Sequence, residues 1–189
     1  MQPEREAVIF AGGKSSRMGR DKALLPFGGY STLAEYQYRR LLPLFDRVSL
    51  SAKGDKFPFD SPRIYDRDAE TSSPMVALAS VLEQAQHDIV FVLSVDMPLV
   101  DALLIDRLYD AHADHPAAQI ILAASPHGTE PLCALYHRDL LPRITEQLER
   151  GEHRMHALLK EAVTVKVPCE REEIFTNLNT PEEYYRLLR

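Results

Sequence analysis

Short apolar runs of strand length alternate with helix-length amphipathic segments along almost the whole chain. That alternation restricts the chain to the α/β class more sharply than any other feature it has. The clearest run is "DIVFVLSVD", residues 88–96, whose near-unbroken apolar character suits a strand buried on both faces. Shorter strands are expected at 7–10, 47–51, 63–66, 119–124, 131–136 and 163–167. Helices are expected at 31–45, where Thr32 and Glu35 have the spacing of a capping box, and at 74–85, with Pro74 in the first turn. Three more are expected at 101–113, 138–149 and 155–161. A last helix opens at "TPEEYYRLL", with Thr180 as cap, Pro181 at the first helical position and Glu183 closing the box. Such an order builds a mostly parallel sheet with helices on both faces, and ligands of such sheets bind beyond the carboxyl ends of the strands. The 189 residues, 45% of them hydrophobic, suffice for one well-formed core, so a single domain over 1–189 is expected.

Directly after the first strand comes "AGGKSSRMGRDK", residues 11–22. Gly13-Lys14-Ser15 has the composition of the end of a P-loop, but a P-loop needs a glycine five positions before Gly13, and Val8 stands there. The dinucleotide-binding fingerprint fails as well, because the glycines fall at 12, 13 and 19. Four cations (Lys14, Arg17, Arg20, Lys22) and three of the chain's eight glycines nevertheless crowd into residues 12–22, in a chain of net charge −6. A Gly12-Gly13 pair lets backbone approach phosphate oxygens and lets successive N–H groups form an anion-binding nest, to which Arg17 and Lys22 add charge. A phosphate-binding loop is therefore expected here.

Asp96 ends the strongest strand and is aimed at the same edge of the sheet if both strands are central and parallel. A lone carboxylate there suits Mg2+, which commonly takes one or two protein carboxylates and fills its shell with substrate phosphates and water. Asp101, immediately before "ALLIDRL", is the better helix cap. Asp66 ends another strand and can accept hydrogen bonds from a base or ribose, or serve a turn. Asn177 and Asn179 alternate around Leu178 and so share one side of an extended segment, within reach of a metal-bound phosphate or in a turn and cap role. His153 and His156 have i, i+3 spacing but no carboxylate at metal-motif spacing, and no G-x-S-x-G signals a nucleophilic serine.

Net charge −6 and a pI near 5.6 argue against nucleic-acid or membrane-surface binding. Cys133 and Cys169 lie far apart with no C-x-x-C pair, so two reduced thiols are expected. The opening "MQPEREAVIFAGG" has only a five-residue apolar stretch, too short for a signal sequence or a membrane span, which points to the cytoplasm.

Residues 12–22 resemble the signature loop of the molybdenum cofactor guanylyltransferases, the MobA family. "VDMPLV" resembles the family's Asp-x-Pro segment, "EPLCALY" its mid-chain strand, "LERGEHRMHALL" its Gly-x-Arg helix region and "FTNLNTPEEY" its closing Asn-x-Asn-Thr-Pro-Glu-Glu. The similarity covers nearly the full chain. Ala11-Gly12-Gly13, where the wider superfamily often has Ala-Ala-Gly, favours the guanylyl branch over the cytidylyl one. The resemblance implies a Rossmann-like three-layer α/β sandwich of the nucleotide-diphospho-sugar transferase type. It implies transfer of GMP from Mg-GTP to the terminal phosphate of molybdopterin bearing molybdenum, with release of pyrophosphate. Phe10, Ala11, Gly12, Gly13 and Ser51 would contact the nucleotide, Lys22 and Arg17 the phosphates, Asp66 the guanosine, and Asp96 the Mg2+. Asn177 and Asn179 would face the pterin product or the metal; beyond what the resemblance implies, Arg154 is a candidate to hold the pterin phosphate. Proteins that deliver molybdopterin or mature molybdoenzymes are the implied protein partners.

The chain departs from the pattern twice. Ser73-Pro74-Met75-Val76-Ala77 stands where the family usually shows Gly-Pro-Leu-x-Gly, and "SLSAKG" has Ser51 and Lys53 where relatives offer Asn. A cytidylyltransferase acting on the same pterin, a sugar-phosphate nucleotidyltransferase and a catalytically idle nucleotide sensor are the alternatives these departures leave open.

Overall fold

The computed structural model describes residues 4–12, 21–68, 71 and 73–188. Seven strands among these residues form one sheet: β1 (Glu6–Phe10), β2 (Arg47–Ala52), β3 (Arg63–Tyr65), β4 (Ile89–Ser94), β5 (Ile120–Ser125), β6 (Gly128–His137) and β7 (Thr164–Pro168). Their spatial order is β3-β2-β1-β4-β6-β5-β7. All neighbours are parallel except the two pairs that β6 makes, with β4 and β5. After β1 the chain builds outward through β2 and β3, then returns to lay β4 on the other side of β1. The strand order therefore reverses between β1 and β4, which is where an open α/β sheet has its ligand crevice.

Among the described residues six α-helices cover the sheet: α1 (Leu33–Leu41), α2 (Pro74–Gln84), α3 (Ala102–Asp114), α4 (Leu141–Glu149), α5 (Met155–Glu161) and α6 (Pro181–Leu187). One core gathers α1, α3 and α6 through Leu33, Leu104 and Tyr184 against Ala7, Ile9 and Leu50. The other gathers α2, α4 and α5 through Leu78, Ile144 and Leu158 against Val8, Val92 and Ala134. Alternate residues of each strand feed opposite faces, which gives the expected three layers.

Local chemistry accounts for most boundaries. Asp101 caps α3 by accepting from Leu104 N–H at 3.0 Å, and Thr180 and Glu183 form a complete capping box on α6. At α1 only half of the expected box is made. Thr32 accepts from Glu35 N–H, while the Glu35 carboxylate takes the Ser31 hydroxyl at 2.7 Å instead of reaching back to the Thr32 backbone. The helix expected to run to 45 gives way to a 3-10 turn over Leu42–Leu44, because Pro43 lacks the N–H an α-helix would use. The strand expected over 88–96 stops at Ser94, so Asp96 stands in the turn beyond it. β5 lies one residue later than expected, at Ile120–Ser125, and β6 is longer than expected, starting at Gly128; the two meet as a hairpin, with a register shift between Leu122 and Ala123 opposite the segment that contains Pro131.

Candidate active site

The strand register builds the site at the β1/β4 crevice. Phe10 lies directly between Ser51 of β2 and Ser94 of β4, forming one row across the sheet. Side-chain alternation sends Phe10 with Val8 to the α2 face and Ala11 with Ile9 to the other. Phe10, Ser51, Ser94 and Leu132 floor a cleft, Gly12, Lys53 and Asp66 rim it, and Ser73, Pro74 and Ala77 at the start of α2 form its wall. Ser73, one of the departures from the family pattern, caps α2 by accepting from Met75 N–H at 3.2 Å.

Asp66 stands just beyond β3, with its Oδ1 3.5 Å from the Ser51 hydroxyl. Burial pushes its carboxyl pKa up, against the opposing pull of the Lys53 charge and the Ser51 hydrogen bond. A carboxylate on the rim of this cleft is suited to accept from N–H or O–H donors of a bound base or ribose.

Gly12 has no steric need of its own to be glycine. A Cβ there would meet Ala52 Cα at 3.7 Å, Lys53 N at 3.9 Å and Ser51 O at 4.0 Å, all ordinary contacts. The glycine instead leaves room on the cleft side of the chain.

A second group of side chains lies around Asp96. Lys22, in a single 3-10 turn over Lys22–Leu24 capped by Asp21, forms an ion pair with Asp96 through Nζ and donates to Asn179 Oδ1 at 2.9 Å. The pair is mostly shielded, with Lys22 and Asp96 side chains 21% and 13% exposed, which strengthens it relative to a surface pair. The Asp96 carbonyl accepts from Leu178 N–H at 3.0 Å, and Val95 N–H donates to the Phe10 carbonyl at 3.0 Å. Asn179 is anchored through its own N–H to Glu183 Oε2 at 2.8 Å, the carboxylate that completes the α6 capping box. Residues 22, 96 and 179 thus converge from three remote segments. Asn177 is half-buried, one residue before the Leu178 that binds Asp96.

Other expected site residues stand elsewhere. Ala11 is buried in the opposite core, donates its N–H to Ser51 O at 2.9 Å and accepts Lys56 Nζ at 2.9 Å, so it serves the scaffold of the crevice. Arg154 precedes α5, and its exposed guanidinium is held by Glu152 at 2.7 and 2.9 Å. The neighbouring His153 carbonyl lies 3.4 Å from the Ser73 hydroxyl at the cleft wall. Gly13 and Arg17, with Lys14 and Arg20, fall outside the described residues.

Two residues at the crevice had no assigned place in the sequence reading. Lys56 links Ala11 to Asp21, on either side of the glycine- and cation-rich stretch, and the only sequence signal was a lysine in "GDKFPF". Glu130 has its carboxyl pKa raised by burial, lowered in part by the Ser125 hydroxyl and raised further by the Asp96 charge. Its signal was a glutamate opening the apolar "EPLCALY".

Among the described residues no group of three or more His, Cys, Asp or Glu side chains is placed to hold a metal ion. A divalent ion here would have to share its shell with phosphate. Asp96 fits that use, since its carboxylate already faces a cationic ammonium and the carbonyl oxygen of Asn179 lies on the same ammonium.

Residues 7–167 match the family model of the MobA-like NTP transferase domain. The chain belongs to that family. It is 39% identical to the molybdenum cofactor guanylyltransferase of Campylobacter jejuni over 183 residues, covering 96% of this chain and 94% of that protein. Its fold is similar to that of molybdopterin-guanine dinucleotide biosynthesis protein A from Archaeoglobus fulgidus, with a TM-score of 0.81 and 19% identity over 96% of each chain. It is also similar to CMP:2-keto-3-deoxy-manno-octonic acid synthetase complexed with CTP, with a TM-score of 0.77 and 17% identity over 98% of this chain and 97% of that one. These two likenesses bear out the expected three-layer α/β fold.

Proposed function

We propose that this chain is a molybdenum cofactor guanylyltransferase that transfers GMP from GTP to the terminal phosphate of molybdopterin and releases pyrophosphate. The observation that carries the reading is the meeting of Lys22, Asp96 and Asn179 at the crevice, beside a cleft floored by Phe10, Ser51, Ser94 and Leu132 with the Asp66 acceptor on its rim. The name of the Campylobacter jejuni relative, at 39% identity over nearly both full lengths, supports the guanylyl branch.

In this reading the base and ribose occupy the cleft over Phe10, with Asp66 accepting from them and Gly12 leaving the backbone open to the phosphates. An oxygen of the acceptor phosphate forms a bond to the α-phosphorus of GTP as the bond to the β-phosphate oxygen breaks, and pyrophosphate leaves with that electron pair. Lys22 supplies a positive charge where negative charge builds on the transferring group. Asp96, with the Asn179 amide oxygen, would hold Mg2+, which supplies charge neutralisation at the phosphates. Asn177 and Asn179 border the acceptor side, and Arg154, paired with Glu152, would have to leave that partner to reach it from the loop beside Ser73. The chemistry needs positioning and charge rather than a protein nucleophile. We place this activity in one catalytic domain over 1–189, in the cytoplasm, with proteins that deliver molybdopterin or mature molybdoenzymes as partners. No helix among the described residues is long and apolar enough to cross a membrane.

The deciding experiment is Mg2+-dependent pyrophosphate release from GTP and, separately, from CTP, each with and without molybdenum-loaded molybdopterin. Release from GTP that requires the acceptor is the expected result. Release from CTP alone, or GTP binding without release under any condition, would overturn it.

A further inference from the structure

We infer that Gln37 and Arg40, on α1, are positioning residues for Asp96: they fix the turn that aims this carboxylate at the ion it would hold. The inference rests on the assignment of Asp96 above.

Gln37 is fully buried on the face of α1 that also presents Leu33, Ala34, Tyr38 and Leu41 to the core. An apolar side chain is the default there, since a buried amide is costly unless its hydrogen bonds are made. Gln37 makes them to the turn after β4: Nε2 donates to the Val95 carbonyl at 3.1 Å, and Oε1 accepts from Arg40 Nε at 2.6 Å. The Arg40 bond fixes which end of the amide faces Val95. Arg40 Nη1 also donates to the Val100 carbonyl, so the two side chains grip the turn on both sides of Asp96.

The consequence for Asp96 is geometric. The peptide plane before its Cα is held by Gln37 through the Val95 carbonyl, and the plane after it by Leu178 N–H on the Asp96 carbonyl. With both planes fixed, φ and ψ of Asp96 are fixed, and with them the direction of its Cα–Cβ bond. Met97 N–H to Ser94 O at 3.2 Å is the turn's own internal bond, and Pro98 has no N–H to add another. Arg40 is kept there at a cost, with Nη2 buried without a hydrogen-bond partner and its pKa lowered by burial. Such a cost is unusual for packing alone.

The test uses Gln37→Met, which keeps the volume and removes both amide bonds, and Arg40→Lys, which keeps the charge and loses the fork. Four quantities are read on each folded protein: the melting temperature, Mn2+ affinity in the presence of GTP by electron paramagnetic resonance, and kcat and KM for GTP in pyrophosphate release. Loss of a group that orients a metal ligand typically costs about 10–100-fold in metal affinity or activity. Gln37→Met should therefore weaken Mn2+ binding and lower kcat by about 10-fold or more, with KM for GTP nearly unchanged at saturating metal. Arg40→Lys should fall between Gln37→Met and the parent. A lower melting temperature with unchanged Mn2+ affinity and kcat would reduce the pair to a packing device and overturn the inference. If Gln37→Met does not fold, Arg40→Lys decides alone, parental values in both readouts overturning the inference. Asp96→Asn separates the two levels. If it leaves Mn2+ binding and turnover intact, the site assignment fails and this inference with it. If it abolishes both while Gln37→Met and Arg40→Lys behave as the parent, only the inference fails.

Discussion

Replacing Lys22 by methionine removes the ammonium that meets both Asp96 and Asn179 while keeping an unbranched chain as far as Cε. Asp96, only 13% exposed, then loses its cationic partner. Leaving a shielded charged acceptor without that partner costs about 1–3 kcal/mol. For a chain of this size each kcal/mol moves the melting temperature by about 2–4 °C, so a fall of roughly 2–12 °C is expected. An ordinary stability of about 5–15 kcal/mol absorbs that loss at 25 °C, and the variant stays folded in the assay. Turnover is expected to drop much further, about 100- to 1,000-fold, because a preorganised cation is lost where negative charge develops. The assay is steady-state pyrophosphate release beside a thermal melt. A second result follows from Lys22 and Asp96 acting as one unit: Asp96→Asn should cost far less in the Lys22→Met background than in the parent. A Lys22→Met protein with the lowered melting temperature but kcat within about threefold of the parent would refute the reasoning, leaving a structural ion pair.

Gly12→Ala meets only ordinary contacts in the protein, so the melting temperature should be unchanged while KM for GTP rises; an unchanged KM would show that the phosphates do not approach there. Asp66→Asn should raise KM for GTP about 10-fold or more, as expected for losing a hydrogen bond to a charged group. It should also stabilise the free protein at neutral pH. Burial lifts the folded-state pKa of Asp66 above its ordinary 3.8, so the carboxylate favours folding least above the raised value and that penalty vanishes below 3.8. The stabilisation should therefore be present at pH 7 and absent near pH 3.5 in thermal melts, and a fall in melting temperature at pH 7 would contradict it. Gly28 has φ +57°, and a Cβ there would lie 2.5 Å from the Tyr36 ring, whereas Gly29 has φ +84° and open space around it. Gly28→Ala should thus lower the melting temperature more than Gly29→Ala, and equal shifts would show that the ring moves aside freely.

The parts of this fold that could be read in the sequence are those whose physics is local. The alternation of elements, the caps at Asp101 and Thr180 and the helix start at Pro74 each depend on residues within one turn of the chain, and the structure has them where the pattern placed them. The Thr32 box is the instructive exception, because its second half depended on which donor the Glu35 carboxylate would take, and Ser31 was closer at hand. Asp66 and Asp96 were legible because a carboxylate just past a buried strand must emerge at the sheet edge. Lys56, Gln37 and Arg40 were not. Their partners lie 45, 58 and 60 residues away, and a lysine in a loop or a glutamine on a helix has the same local signature whether it meets water or a backbone carbonyl. The cleft floor lies between these cases. Strand alternation separates Phe10 from Ala11 and Ser51 from Ala52, but only the register Phe10–Ser51 and Phe10–Ser94 turns three same-face residues into one row. A one-residue slip of β2 would point Leu50 or Ala52 into the cleft in place of Ser51. The two buried faces of the sheet forbid that slip, since it would also turn Ser49 into the α1 core, and the core thereby fixes which residues the cleft displays.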